Sequence, residues 1–301
     1  MNPNPRQLRA FVAISRLGSF TKAAEALHST QPALSAQINQ LESNLGVRLL
    51  DRSTRRVTLT HVGRDLLPAV EKAMHDLASL TSRARDIAQM RTGRVSVAAL
   101  PSISSSFLPE AIAQFSAQFP GVSVSLDDAL AERIIELIRL QSVDFGITSS
   151  ALVDSHMSFL RIGSDQMVAV MPRGHSLARM KRLSLRHMLD LPLIFMNRDS
   201  SVRRIVDDAC AAQGRLPSPA YEAAYMSTAV GMVRAGLGVT LLPSSALELT
   251  AASDLQCVPI ADRRLMREIG IVTNEGQSLS PAASAFIALL RKKSASWFGG
   301  K

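Results

Sequence analysis

Strand-like and helix-like segments alternate from Arg94 to the end of the chain, and this alternation restricts the fold more than any other feature of the sequence. The first five segments, which begin with a strand, occupy 94–100, 107–119, 122–129, 131–141 and 143–149. A strand, a crossover helix and a second strand form a βαβ unit around a parallel sheet. We therefore expect this part of the chain to fold as an α/β domain.

The alternation continues in a second set of segments. Strands are expected at 166–172, 191–197, 218–224 and 239–244, and helices at 183–189, 201–214 and 226–236. A strand at 268–276 would suit the first set again, and a helix at 281–295 closes the chain. The pattern predicts lobe 1 at about 91–163 and 269–301, and lobe 2 at about 164–268, with a cleft between them.

The first 60 residues have a different pattern, in which three short helices precede two β-prone pieces around an Arg-rich tip. Ser19 or Thr21 can cap the second helix. Thr30 can cap the third, which has Pro32 in its first turn, where a missing N–H is tolerated. Helix, turn and helix followed by a β-hairpin predict a winged helix-turn-helix at 1–60.

Residues 61–90 have the apolar spacing of one long amphipathic helix. Its apolar stripe consists of Leu66, Leu67, Val70, Met74, Leu77, Leu80, Ala84 and Ile87. A stripe on so long a helix is commonly buried against another helix, and the partner can be the same helix in a second copy of the chain. The alternative is an ordinary core helix within one chain.

The positive charge is concentrated at the N-terminus. The chain has 34 Lys and Arg against 25 Asp and Glu, a net charge of +9. Residues 1–60 hold eight of the basic residues and three of the acidic ones, which is 8 − 3 = +5. A basic N-terminal module indicates a polyanionic partner, although a merely solubilising surface would have the same charge.

Several classes of protein do not fit the sequence. Its apolar runs are far shorter than the roughly 20 residues of a membrane span, and the first residues lack the apolar region of a secretory signal. Only two cysteines occur, Cys210 and Cys257, which predicts no disulfide framework and fits a reducing cytoplasm. We therefore expect a cytoplasmic protein that does not contact a membrane.

Enzyme signatures are also missing from the sequence. The six histidines show no HxxxH or HExxH spacing, and there is no GxGxxG after a strand, no phosphate-binding GxxxxGK[ST] and no GxSxG. The neighbouring carboxylates Asp127 and Asp128, like Asp207 and Asp208, would point apart on a strand or helix. We expect no enzymatic activity, no catalytic residue, no metal and no cofactor.

Three separated pieces of the N-terminal region occur together in one known family. They are GSFTKAAEALHSTQPALSAQINQLE, then LGVRLLDRSTRRVTLT, and then a following GR. In this order they resemble the LysR-type transcriptional regulators. The resemblance continues more loosely through FLPEAIAQFSAQFPGVSV, VDFGI and MVRAGLGVTLLPS, and so covers nearly the whole chain. It implies a DNA-binding head at 1–60, a dimerising linker helix at 61–90 and an effector domain at 91–301, similar to periplasmic binding proteins.

The resemblance makes the third helix the one that reads DNA. An α-helix fits the major groove, where Gln can pair with adenine and Ser can bond several base edges. It implies contacts from Ser19, Thr21, Lys22, Gln31, Pro32, Ser35 and Gln37, and from Arg52, Arg55 and Arg56 on or beside the wing. Plain capping by Ser19 or Thr21, and a solvated face at Ser35 and Gln37, are the alternatives. Many relatives have Arg after the serine, where this chain has Ala36.

The resemblance also implies a small-molecule effector in the cleft, bound by strand-end loops and helix N-termini. Ser102 lies seven residues before Pro109 and matches the family's inducer-binding hydroxyl. The effector residues carried over by position are Ser102, Ser104, Thr148, Ser149, Asn197, Met226 and Thr228. For Ser102, capping of the next helix is the alternative. With no buried arginine assigned, hydroxyls and helix N-termini are expected to recognise a small organic acid.

The sequence therefore predicts a transcriptional regulator controlled by a small organic acid. Its expected partners are double-stranded DNA with an interrupted dyad, the effector, and further copies of the chain in a homodimer or homotetramer, with RNA polymerase as another partner the resemblance implies. A binding protein of periplasmic type without a DNA role is the alternative, but it leaves residues 1–90 unexplained. An α/β enzyme is a third interpretation of the sequence.

Overall fold

The computed structural model describes residues 3–52, 57–150, 153–215, 218–250 and 252–299, with the backbone alone for Arg52. The chain divides into two compact units, Met1–Asp86 and Ile87–Lys301. None of the helices within the described residues is long and apolar enough to cross a membrane.

The first unit has the predicted winged helix-turn-helix order. Its elements are α1 (Pro5–Leu17), α2 (Phe20–Ala26), α3 (Gln31–Leu45), β1 (Leu50–Arg52), β2 (Val57–Leu59) and α4 (His61–Ala88). Gly18 ends α1 with a left-handed φ of 61°, a conformation that glycine adopts without a Cβ clash. Ser19 caps α2, since its Oγ accepts a hydrogen bond from the N–H of Lys22 at 3.3 Å. Thr30 caps α3 in the same way.

The helices of this unit pack around one apolar core. Phe11 and Ile14 of α1 meet Leu34, Ile38 and Leu41 of α3, and all five are buried. The three-residue and four-residue spacing that predicted the helices therefore also selects the faces that they bury.

Glu42 joins α3 to the β-hairpin. Its Oε1 accepts the backbone N–H of Leu49 at 2.8 Å and that of Leu50 at 3.1 Å. The hairpin is antiparallel, with Leu50 opposite Leu59. The wing is thus anchored to the helix that precedes it by a carboxylate on two backbone donors.

Helix α4 is only partly covered. Leu66, Leu67 and Val70 pack against the core of the first unit, so the first part of the stripe is covered within one chain. Further along, Leu77 is 40% exposed and Leu80 is 62% exposed. The second half of the stripe has no apolar cover within the described residues of the first unit.

The second unit contains the predicted alternation of strands and helices. Its first half comprises β3 (Gly93–Ala99), α5 (Pro101–Ser106), α6 (Leu108–Gln118), β4 (Val122–Asp128), α7 (Ala131–Arg139), β5 (Phe145–Ser149) and β6 (Met157–Pro172). The rest comprises α8 (Leu185–Leu189), β7 (Leu193–Met196), α9 (Ser201–Ala211), β8 (Tyr221–Ala223), α10 (Met226–Arg234), β9 (Val239–Pro243), α11 (Leu247–Thr250), β10 (Leu255–Pro259), β11 (Met266–Asn274) and α12 (Pro281–Gly299).

The strands form one sheet in the order β4-β3-β5-β11-β6-β9-β7-β8, and β10 pairs with β6 as well. Strand β3 runs parallel to β4 and β5, and β7 runs parallel to β8 and β9. This confirms the α/β fold class. Two separate apolar cores form, one within Val95–Leu290 on the β3, β4 and β5 side and the other within Met167–Leu265 on the β7, β8 and β9 side.

Lobe 1 accordingly contains β3, β4, β5, α5, α6, α7 and α12, and lobe 2 contains β7 to β10 and α8 to α11. Strands β6 and β11 run antiparallel through both lobes. Their register shifts between Ile269 and Gly270, and beyond the shift Arg267 lies opposite Asp165. The chain therefore passes between the two lobes along β6 and again along β11, and these two strands are paired with each other.

The structure differs from the predicted elements in four main places, one of which is the short helix α11, which was not predicted. Residues 101–104, expected as a loop, belong to helix α5, which begins at Pro101. Strand β6 begins at Met157 rather than 166, and its burial there does not alternate cleanly between the two faces. Strand β10 was not predicted. Because β6 and β10 pair only with partners distant in sequence, local patterning carries little signal for them.

Candidate functional site

The N-terminal end of α3 presents polar side chains on the surface of the first unit. Gln31 and Pro32 are exposed, while Ser35 and Gln37 are half-buried. The buried residues of α3 lie on another face of the helix and hold it in the core. Gln31 and Pro32 are therefore available to a partner, as a helix entering a major groove requires.

The other candidate DNA contacts are distributed over α2 and the wing. Thr21 and Lys22 are exposed in the first turn of α2, and only Ser19 acts as a cap. Arg52 ends β1, whereas Arg55 and Arg56 lie outside the described residues. Thr21 and Lys22 share one helix N-terminus, whose N–H groups favour anions.

A cavity of about 550 Å³ lies between the two lobes of the second unit. Lobe 1 contributes Leu100 and Ser102, lobe 2 contributes Asn197 and Met226, and β11 contributes Arg267. The cavity adjoins the carboxyl ends of the parallel strands β3, β4 and β7, the usual ligand position in open α/β sheets. Its volume is that of a small-molecule site.

The structure brings together only part of the predicted effector set. Ser102, Asn197 and Met226 line the cavity, but Ser104, Thr148, Ser149 and Thr228 do not. The Oγ of Ser104 instead donates to the carbonyl of Ala99 at 3.2 Å, and Thr228 is exposed on α10. Four of the seven predicted effector residues therefore lie outside the described wall of the cavity.

Thr148 and Ser149 are buried at the end of β5. Neither Thr148 Oγ1 nor Ser149 Oγ has a hydrogen-bond partner among the described residues. Ser149 lines a small hollow of about 30 Å³ that Ser201 and Arg204 also line. Since Ser201 lines the large cavity as well, the hollow adjoins the cleft.

A buried arginine, which was not anticipated from the sequence, lies at the cavity wall. Arg267 is 2% exposed. Its Nη2 donates to Oδ2 of Asp165 at 2.8 Å and to Oγ of Ser102 at 2.8 Å. Its Nε is buried without a hydrogen-bond partner among the described residues. The prediction that hydroxyls and helix N-termini alone would provide the charge is therefore corrected, because a guanidinium is present at the site.

The ion pair between Arg267 and Asp165 connects both lobes. Asp165 accepts the hydroxyl of Ser244 at 2.8 Å, and it also accepts the backbone N–H and the hydroxyl of Ser245. Ser102 belongs to lobe 1, while the two serines follow β9 of lobe 2. Burial lowers the pKa of Arg267, and the charge and hydrogen bond of Asp165 oppose that change. With such a high intrinsic pKa, the guanidinium stays protonated.

A second ion pair spans the lobes beside the cleft. Arg204 of α9 donates to Oε1 of Glu132 of α7 at 2.9 Å. Both side chains are partly exposed, so solvent screens this pair far more than the buried one. It is the weaker of the two polar connections.

Cys210 is buried and Cys257 is partly buried. Burial raises the pKa of the Cys210 thiol to about 11, and the nearby Asp207 acts in the same direction. Burial also raises the pKa of Cys257. Both thiols therefore stay protonated near neutral pH, and a protonated thiol is a poor nucleophile.

Comparison with known proteins places both units in one family. The family model "LysR substrate binding domain" matches residues 88–295. The model "Bacterial regulatory helix-turn-helix protein, lysR family" matches residues 5–64. Together the two models cover most of the chain.

Individual proteins agree with this match. The "Uncharacterized HTH-type transcriptional regulator YbhD" of Escherichia coli is 30% identical, over 94% of this chain and 89% of its own length. A "Probable hydrogen peroxide-inducible genes activator" of Mycobacterium avium is 31% identical over 90% of this chain and 88% of its own. A full-length OxyR variant from Pseudomonas aeruginosa covers 96% of this chain and 98% of its own at 22% identity, with a TM-score of 0.80, which speaks for the fold. The chain belongs to the LysR family of bacterial helix-turn-helix transcriptional regulators.

Proposed function

We propose that this chain binds specific operator DNA through α3 and the wing, and that a small organic acid in the interlobe cavity controls this activity. The observation that carries the proposal is the cavity of about 550 Å³, which has a buried guanidinium in its wall. The same chain contains a helix-turn-helix unit whose helix α3 begins with exposed residues.

The chemistry of the cavity wall supports an anionic group in the effector. Arg267 has donors beyond the two bonds that its Nη2 makes. Helices α9 and α10 begin beside the cavity, because Ser201 and Met226 both line it. Helix N-termini attract negative charge. A carboxylate placed there would gain hydrogen bonds from a fixed donor set.

Control of DNA binding would proceed by a shift between arrangements of the lobes. The effector would contact lobe 1 through Ser102, lobe 2 through Asn197, and β11 through Arg267. A ligand that bridges the lobes favours the arrangement in which all its contacts are made. Paired α4 helices in a homodimer or homotetramer would carry two heads to an interrupted dyad, and RNA polymerase is a further partner of this proposal.

We do not propose thiol-based sensing, although one relative bears the name of a hydrogen peroxide-inducible activator. Peroxide-reactive cysteines have a low pKa and are accessible to solvent. Here burial raises the pKa of both Cys210 and Cys257. We propose that the cleft, and not a cysteine, binds the signal.

Substitution at the start of α3 tests the DNA-reading role. Operator fragments are first selected from a random duplex library with the full chain. Gln31→Ala should then weaken binding to the selected duplex by roughly 1–3 kcal/mol and change binding to random DNA little, because a base contact is lost. Fluorescence anisotropy on both duplexes measures the difference.

Gln40→Ala is the matched control, since Gln40 is an exposed residue of the same type in the second half of α3. It should leave both affinities close to those of the unsubstituted chain. Arg55→Ala should weaken binding to both duplexes about equally and make affinity depend less steeply on salt concentration, as the loss of a phosphate contact does. If Gln31→Ala weakens binding to both duplexes equally, α3 does not recognise the DNA sequence.

A further inference from the structure

The cavity contains acidic side chains as well as Arg267. Asp128, the last residue of β4, lines it from lobe 1, and Glu248 of α11 lines it from lobe 2. Asp128 is exposed and Glu248 is half-buried. The cavity therefore holds two carboxylates on opposite lobes.

The charges in the cavity do not cancel. Among the described residues, neither Asp128 nor Glu248 has a Lys, Arg or His within ion-pair distance. Arg267, by contrast, is neutralised by Asp165 at 2.8 Å. Counting the three charged lining residues with Asp165 gives a formal net charge of −2. A ligand carrying only negative charge would meet repulsion from these carboxylates.

In the uncharged part of the described wall, apolar residues outnumber serines and asparagine. Leu100, Leu130, Met196, Tyr225 and Met226 line the cavity. Tyr225 is 73% exposed, and its ring is an apolar body with a polar tip. Such a wall suits an uncharged hydrocarbon or aromatic group.

We propose that the effector is a zwitterion, an α-amino acid with an apolar side chain. Its carboxylate binds Arg267 and the adjacent hydroxyl of Ser102, and its ammonium group binds Asp128 and Glu248. Arg267 is buried, lines the cavity and keeps an unpartnered Nε, so a recognition group exists apart from the two acids. The proposal rests on the proposed function, since it requires the cavity to be the effector site.

The proposal is tested with matched probes on the full chain. L-leucine, L-methionine and L-phenylalanine are each compared with the 2-hydroxy acid and with the amine that have the same side chain. Thermal shift identifies binding, and calorimetry measures affinity. At least one amino acid should bind about tenfold or more tightly than its hydroxy acid and its amine, because each analogue lacks one of the two charges.

Variants assign the ammonium site. Asp128→Asn combined with Glu248→Gln should weaken binding of the amino acid about tenfold. It should not weaken binding of the hydroxy acid, because it removes two carboxylates that repel this anion. Asp127→Asn is the matched control, because Asp127 is the exposed neighbour of Asp128 on β4 and does not line the cavity. It should leave amino-acid affinity unchanged. Thermal unfolding without ligand establishes that each variant is folded.

Three results would overturn the proposal that the effector is a zwitterion. One is no binding by any of the three amino acids. Another is a hydroxy acid that binds as tightly as its amino acid, which would leave a cleft for organic acids standing. The third is an unchanged amino-acid affinity in the Asp128 and Glu248 variant. None of these results bears on the comparison of Gln31→Ala with Gln40→Ala, so failure of the ligand class and failure of DNA reading are distinguishable.

Discussion

Arg267→Met should destabilise the second unit by about 3–5 kcal/mol, because it leaves Asp165 buried without its cation. Asp165 is 2% exposed. Its remaining partners are the hydroxyls of Ser244 and Ser245 and one backbone N–H, none of which carries a charge. Urea unfolding followed by the fluorescence of Trp297, the only tryptophan, reports on this unit because Trp297 packs on Phe107 of lobe 1.

Two further variants separate this effect from a general sensitivity to arginine loss. Arg267→Met combined with Asp165→Asn removes both charges, so it should regain part of the lost stability. Arg234→Met breaks an ion pair with Asp254 in which both side chains are exposed, and it should leave the transition near that of the unsubstituted chain. If Arg267→Met and Arg234→Met unfold at the same urea concentration, the buried pair does not stabilise the fold.

Leu77→Glu combined with Leu80→Glu should convert the assembled protein to monomer. Both leucines lie on the exposed second half of the α4 stripe. Burial of the stripe against a second copy would be reversed by placing charged groups in that contact. Light scattering at matched protein concentration measures the loss, and it should be accompanied by weaker binding to a two-half-site operator.

Ser79→Glu combined with Ser82→Glu is the matched control on the other side of the same helix. Both serines are exposed, and at 100° per residue they face away from the stripe. This variant should retain the assembly state. Retention of that state by the leucine variant as well would mean that α4 does not pair the chains.

Much of the first unit was predictable because its signals are local. Ser19 and Thr30 cap the helices that follow them, and the left-handed Gly18 ends the first one. Each of these residues acts within a few positions of itself, so local spacing indicates its role, although it left Ser19 and Thr21 as alternative caps. The same holds for the alternation of strands and helices in the second unit.

The interlobe site was less predictable because its contacts join distant residues. Arg267 and Asp165 are 102 positions apart, and Arg267 follows Arg263 and Arg264 with nothing local to distinguish it. Ser102 was expected as a ligand residue; it lines the cavity, and its hydroxyl also accepts a bond from Arg267. Thr148 was correctly predicted to lie at the end of a strand. The sequence did not reveal that Thr148 lies outside the wall of the cavity.

Reciprocal titration measures whether a ligand in the cleft controls DNA binding. The ligand that gives the largest thermal shift is titrated into the full chain with and without the selected operator duplex. The operator is likewise titrated with and without that ligand. We expect ligand affinity and operator affinity to change by the same factor, about 5–150-fold. The same ligand affinity with and without operator DNA would contradict it.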